Sequence, residues 1–312
     1  MRVVAARTRI AGLLTGGLVL ATAMLGASGA GAAATGTPPE QRAGIPSNAK
    51  VTSLWSGVLQ PGATKSWHWN NAPTGRVYNV GLSPSGATTT KMCQFEVVKT
   101  WYETTHTGER EFYWRIKNVG SLACGATVVL TAVVATTSQD WGPFAPGVDW
   151  GFSLPWTTPG TAALLGLTAT GAQPSADCRA AFTEHHHFFN ASSKELPYFR
   201  ALHEGTVKCG FSVLVGEVPV VAEVPLGPVT EGEVHKVVWN NANPLTDTHV
   251  IGVDSASSDG TYCIYDIGRQ YYRQRLNGRV PERELVFTVE RVLEHVWPGE
   301  GCSATAQLAV VK

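Results

Sequence analysis

The sequence predicts an all-β chain of three tandem two-layer β-sandwich modules, and three observations carry that reading. Trp69-Asn70-Asn71-Ala72 followed by Cys93 recurs as Trp239-Asn240-Asn241-Ala242 followed by Cys263, with the same Trp-to-Cys spacing. A more diverged copy lies between them, with Trp156-Thr157-Thr158-Pro159 and Cys178 in the corresponding places. Apolar and polar residues alternate along much of the chain, and no stretch keeps the 3.6-residue period of a helix for three turns. The expected organisation is a signal peptide over residues 1–32, a flexible arm over 33–50, and modules over 51–137, 138–217 and 218–312.

Arg2, Arg7 and Arg9 precede an apolar run from Ile10 to Ala27 and then small residues, the layout of an export signal cleaved after Ala32 or Ala34. Thr15, Gly16 and Gly17 interrupt the run, which disfavours a membrane anchor. A secreted, extracellular product is expected. The Ala, Gly, Thr and Pro that follow offer little to bury, hence the arm.

In the first module Trp67 and Trp69 share one face of a strand while Ser66, His68 and Asn70 share the other. Asn70-Asn71-Ala72-Pro73 ends it, because short polar side chains bond their own backbone at turns and Pro cannot continue a ladder. Val77 to Leu82 supplies the next strand, Cys93, Phe95 and Val97 mark another, and Phe112, Trp114 and Ile116 alternate after the Thr107-Gly108 turn. Cys124, Ala126, Val128 and Leu130 close the module. The second copy aligns through its glycines, with Leu165-Gly166-Leu167 in the place of Val80-Gly81-Leu82 and a last strand of Cys209, Phe211, Val213 and Val215. In the third, Val237 and Trp239 alternate, Val250-Ile251-Gly252-Val253 follows, and Cys302 to Val310 ends the pattern. Trp67, Trp69, Trp156 and Trp239 are assigned to the core, since each shares its parity with other apolar residues.

Six cysteines in an exported chain point to disulfides. The repeats choose the pairs Cys93/Cys124, Cys178/Cys209 and Cys263/Cys302, because the first two then have equal separations of 31 residues. In module size, in one disulfide per module and in a core Trp, the pattern is similar to immunoglobulin-like sandwiches at the level of fold. It departs from the antibody order, since Trp69, Trp156 and Trp239 precede both cysteines of their copies.

Charge excludes one class of partner. Without the three leader arginines the chain carries about −3, with no concentrated basic run, so nucleic acid is not expected. No Gly-x-Ser-x-Gly elbow, His-Glu-x-x-His pair or Asp-x-Asp-x-Asp-Gly loop occurs. The chain therefore reads as no enzyme and as needing no cofactor. His185 and His187, on one side of a strand, are weak metal candidates, with His203 or Glu184 to complete a site. Trp101, Tyr102 and Tyr113, and Tyr271, Tyr272, Arg273 and Arg275 in the longer third module, have the composition of contact surfaces. The expected function is binding or adhesion, with an extracellular protein or a surface glycan as partner. The alternatives are a structural or assembly subunit that uses the modules as spacers and, more remotely, a secreted protease inhibitor or an enzyme.

Overall fold

The computed structural model describes residues 48–312 apart from 155–157, 174–175, 190–194, 241, 243–244, 258–261 and 293–300. The leader, most of the arm and Trp156 lie outside the described residues. Within them the chain is all-β, without helix.

The first repeat contains β1 (Asn48–Leu59), β2 (Thr64–Trp69), β3 (Arg76–Ser85), β4 (Cys93–Thr104), β5 (Arg110–Asn118) and β6 (Cys124–Val134). The second contains β7 (Thr137–Phe144), β8 (Asp149–Ser153), β9 (Thr161–Thr170), β10 (Cys178–Phe189), β11 (Glu195–His203) and the first half of β12 (Cys209–Pro228). The third takes the second half of β12, then β13 (Val234–Asn240), β14 (Thr248–Ser257), β15 (Cys263–Asn277), β16 (Val280–Arg291) and β17 (Cys302–Val311). One pairing scheme recurs three times. The first strand of a repeat pairs with its sixth and the sixth with the third, while the second pairs with the fifth and the fifth with the fourth.

Each repeat is thus a sandwich-like pair of three-stranded layers in a nested order. Immunoglobulin domains instead place their first two strands side by side in one sheet. Here first pairs with last, so the antibody strand order is not the one observed. The disulfides Cys93–Cys124, Cys178–Cys209 and Cys263–Cys302 each tie the start of the fourth strand to the start of the sixth, joining the two layers. Loops of 31, 31 and 39 residues are closed in this way, each worth about 3–4 kcal/mol in the chain-entropy account.

The same corner also recurs. Gly62, Gly147 and Gly232 have φ of 80°, 78° and 74°, and their N–H groups donate to the carbonyls of Asn118, His203 and Arg291. A left-handed turn at that point suits glycine, which has no Cβ to clash. Asn71, with φ 51°, ends β2 in the same region of conformation, which Asn tolerates better than most residues.

The repeats are not separate beads. The end of β4 pairs with the start of β10 at Tyr102↔Ala180 and Thr104↔Cys178. The end of β10 pairs with the start of β15 at His186↔Asp266 and Phe189↔Cys263. The end of β15 pairs with the start of β4 at Tyr272↔Phe95 and Gln274↔Cys93. The three fourth strands therefore close a cycle, each joined to both others through opposite ends, and the three inner layers merge into one nine-stranded sheet. Cys93, Cys178 and Cys263 are spaced by 85 residues, so this is a pseudo-threefold arrangement.

The third strands obey the same symmetry. A Cβ on Gly81 would lie 3.0 Å from Thr248 Cγ2, one on Gly166 3.2 Å from Val77 Cγ2, and one on Gly252 3.2 Å from the Ala162 Cβ. Each partner stands four residues before the glycine of its own repeat, so the three strands approach one another closely and a side chain at any of these positions would press on its neighbour. Gly81→Val is expected to cost about 1–3 kcal/mol by overpacking, read as a lower urea midpoint. Gly75→Val, which would meet open space, serves as the control and should leave the midpoint nearly unchanged.

Candidate binding site on the axis of the repeats

Each fourth strand carries a one-residue bulge at the same place, between Val97 and Lys99, between Phe182 and Glu184, and between Ile267 and Gln270. A bulge leaves one residue unpaired and bends the strand. The three strands pair with one another only near their ends, so the bulged middles face the centre of the cycle. Two cavities of about 320 and 280 Å³ open there, each lined by residues of all three repeats, and they share Asn79, Leu164, Leu165 and Gln270.

Equivalent positions meet in these cavities. Thr100, His185 and Gln270 are spaced by 85 residues, as are Asn79, Leu164 and His249. The Asn79 amide is committed: Nδ2 donates to the Thr248 hydroxyl (3.2 Å) and the His249 carbonyl (3.0 Å), and Oδ1 accepts from the Val80 N–H. The imidazoles are not. Nε2 of His185 and Nδ1 of His249 are buried without a hydrogen-bond partner. His185 stacks on Phe199 at 4.2 Å, and burial, reinforced by His187 and His186, holds its pKa well below the usual value. Burial likewise pushes His249 down to about 4, against the pull of Asp247. Both rings are neutral at pH 7.

Charges at the rim cancel. Lys99 Nζ lies 2.5 Å from Glu204, Arg269 lies 3.1 Å from Glu96, and Glu184 lies between His186 and Arg200. Leu164, Leu165, Phe182 and Ile267 give apolar wall beside the polar Asn79, His185, His249 and Gln270. The arrangement provides neutral hydrogen-bonding groups against apolar surface, reachable from solvent past the bulges.

One consequence concerns pH. His249 binds a proton near pH 6.5 when unfolded and near 4 when folded, so acidification favours the unfolded chain. Its contribution is fully present above about pH 6.5 and falls away towards pH 4, by on the order of 3 kcal/mol. His249→Gln should flatten that part of a stability-versus-pH curve. An unchanged slope between pH 6.5 and 4 would show that His249 is not desolvated as described.

The residues read from the sequence as contacts fall elsewhere. Trp101 faces outward but is covered, stacked on Tyr113 at 4.9 Å beneath Lys99 and Arg115. Tyr113 is half-buried and donates its hydroxyl to Glu111. Tyr102 and Tyr272, expected at a surface, are buried at 3% and 1% exposure. The Tyr102 hydroxyl accepts the Tyr78 N–H, and the Arg110 guanidinium lies 4.4 Å from its ring. Burial raises the pKa of both phenols. Tyr271 is half-buried with Arg269 over its ring. Arg273 is paired to the buried Glu284, and the exposed Arg275 reaches Glu282 and Glu284.

His185 and His187 do converge, with ring centroids 4.3 Å apart, but His187 is paired with Glu195. His203 sits at the other end of β10–β11, opposite Ala180, with Nδ1 3.0 Å from the Ala145 carbonyl. Glu184 lies with His186 rather than with His185. Among the described residues no group of three or more His, Cys, Asp or Glu could hold a metal. Trp67 and Trp69 are buried, and Trp239 packs half-buried against the core.

Comparison with protein-family models, with curated proteins and with solved structures finds no match in any of the three. Sequence reasoning missed Asn79, Thr100, His249 and Gln270 as site residues. The 85-residue spacing was the available signal: superposing the repeats by it sets these four at two repeated positions where residue type changes from copy to copy.

Proposed function

We propose that this chain is an exported, non-catalytic binding protein whose three repeats build one composite site on their common axis, rather than one site each. The observation that carries the reading is the set of three aligned bulges opening onto two adjoining cavities, each lined by residues of all three repeats and one of them by two neutral imidazoles. The repeats keep their cysteines, corner glycines and third-strand glycines, yet differ at Thr100/His185/Gln270 and Asn79/Leu164/His249. These positions line two adjoining cavities that share Asn79, Leu164, Leu165 and Gln270, so their differences give the axis a chemistry that no single repeat has. Three intramolecular disulfides are compatible with an oxidising, extracellular setting. The spacer reading is less favoured, because repeats closed into a cycle do not set distances along an extended array.

The test is a glycan array together with a pulldown from the producer's culture medium, each run with the native protein and with Leu165→Trp, a change at a residue that lines both cavities. Capture lost in the variant at an unchanged melting temperature supports an axial site. Capture retained in full moves binding to an outer surface such as that around Tyr271 and Arg275.

A further inference from the structure

Resting on that composite site, we infer that its ligand is an uncharged, hydroxyl-bearing ring with one apolar face, the chemistry of a single neutral sugar residue. The first ground is the hydrogen-bonding capacity left over. A neutral imidazole nitrogen is a donor in one tautomer and an acceptor in the other. A hydroxyl matches both, a carboxylate or sulfate can only accept, and an ammonium can only donate. His249 is 4% exposed and lines one of the cavities with His185, and neither His249 Nδ1 nor His185 Nε2 has a partner among the described protein atoms.

The second ground is electrostatic. Lys99 and Arg269 on the bulged strands are already neutralised, by Glu204 and Glu96, while the Asp247 carboxylate acts on His249 from nearby. An anion entering here would lose hydration without gaining a counter-charge. The third is shape. Each lobe lies at the small end of ligand pockets, which run from roughly 300 to 1,000 Å³, and Leu164 and Leu165 line both. A ring with an apolar face can lie on these leucines while its hydroxyls reach the imidazoles.

The experiment follows the imidazole nitrogens of 15N-histidine-labelled native protein by NMR at pH 7.5, titrated with the methyl glycosides of glucose, galactose, mannose and N-acetylglucosamine. Sodium glucuronate, sodium sulfate and ethylammonium chloride are the charged controls. The expected result is a saturable shift of His185 and His249 with at least one glycoside, at a stoichiometry of one. His249→Leu should weaken it at least tenfold and Gln270→Ala, a milder change at a half-buried position, measurably. A chain-end glycan binding more tightly than its free methyl glycoside would identify the terminus of a larger glycan as the source. Shifts of the two histidines by glucuronate, sulfate or ethylammonium alone would overturn the ligand class while leaving the axial site standing. No shift with any probe, while array binding persists and is indifferent to Leu165→Trp, would overturn the site itself.

Discussion

Trp69→Ala will lower the unfolding free energy by about 3–5 kcal/mol through lost transfer energy and a residual cavity, and the loss will appear in one transition shared by all three repeats. Trp69 is 3% exposed on β2. It belongs to a contiguous cluster of buried side chains that also contains Trp150 and Phe211 of the second repeat and Tyr265 and Phe287 of the third. The cyclic pairing of β4, β10 and β15 joins the inner layers as well, and β12 runs without a break from the second repeat into the third. With core, sheet and chain all shared, the first repeat has no boundary at which it could melt alone. Scanning calorimetry should give equal calorimetric and van't Hoff enthalpies for native and variant protein. A separate low-temperature transition in the variant would instead mean that each repeat unfolds as an independent module.

The alternation around Trp67 and Trp69 and the equal cysteine separations made the strands and disulfides legible. They could do so because the side-chain period of a strand and the reach of a disulfide are local properties. What alternation reports is the face of a strand, not its neighbour. The nested order, first strand against sixth, therefore lay beyond it, and an immunoglobulin-like order was an equally good account of the same faces. The inter-repeat ladders were hidden for a further reason. The shared segments are short, as at Tyr272, Arg273 and Gln274 against Phe95, Gln94 and Cys93. Their residues already satisfy the pattern of their own repeat, so nothing in the sequence marks a second partner.

The contact residues were chosen by composition, and strand parity could not correct the choice. Counting by twos from Cys93 through Phe95 and Val97 would turn Trp101 inward and Tyr102 outward. The extra residue between Val97 and Lys99 reverses the parity, so that Tyr102 enters the core and Trp101 faces out. The same reversal after Ile267 buries Tyr272. After Phe182 it sets His185 and His187 on the inner side, His185 against the axial cavity. A one-residue bulge has no compositional signature strong enough to be read from a single copy, although its recurrence at one position in three copies is what opens the axis.

The parity change also alters what the Arg-rich segment of the third repeat does, and Glu284→Ala will expose it. Read by composition, Tyr271, Tyr272, Arg273 and Arg275 form a surface that could be stripped without loss of stability. In the fold, the Glu284 carboxylate is 2% exposed, paired with Arg273 whose side chain is 15% exposed, and it accepts a second contact from Arg275 at 3.1 Å. Removing the carboxylate leaves the Arg273 guanidinium largely desolvated and without its counter-charge, a loss of about 3–5 kcal/mol. Arg275→Ala touches only the exposed arm of the network, since its side chain is 45% exposed, and should cost at most about 1 kcal/mol. Urea denaturation of the two variants beside the native protein measures the contrast. If Glu284→Ala and Arg275→Ala shift the midpoint equally and slightly, the pair is solvated and the segment is again available as a contact surface. If Glu284→Ala alone is costly, and Glu284→Leu with Arg273→Met recovers the loss, the segment is a strut that fixes β15 against β16. Binding measurements on a variant with Tyr271, Tyr272, Arg273 and Arg275 all changed to Ser would then report unfolding rather than lost contacts.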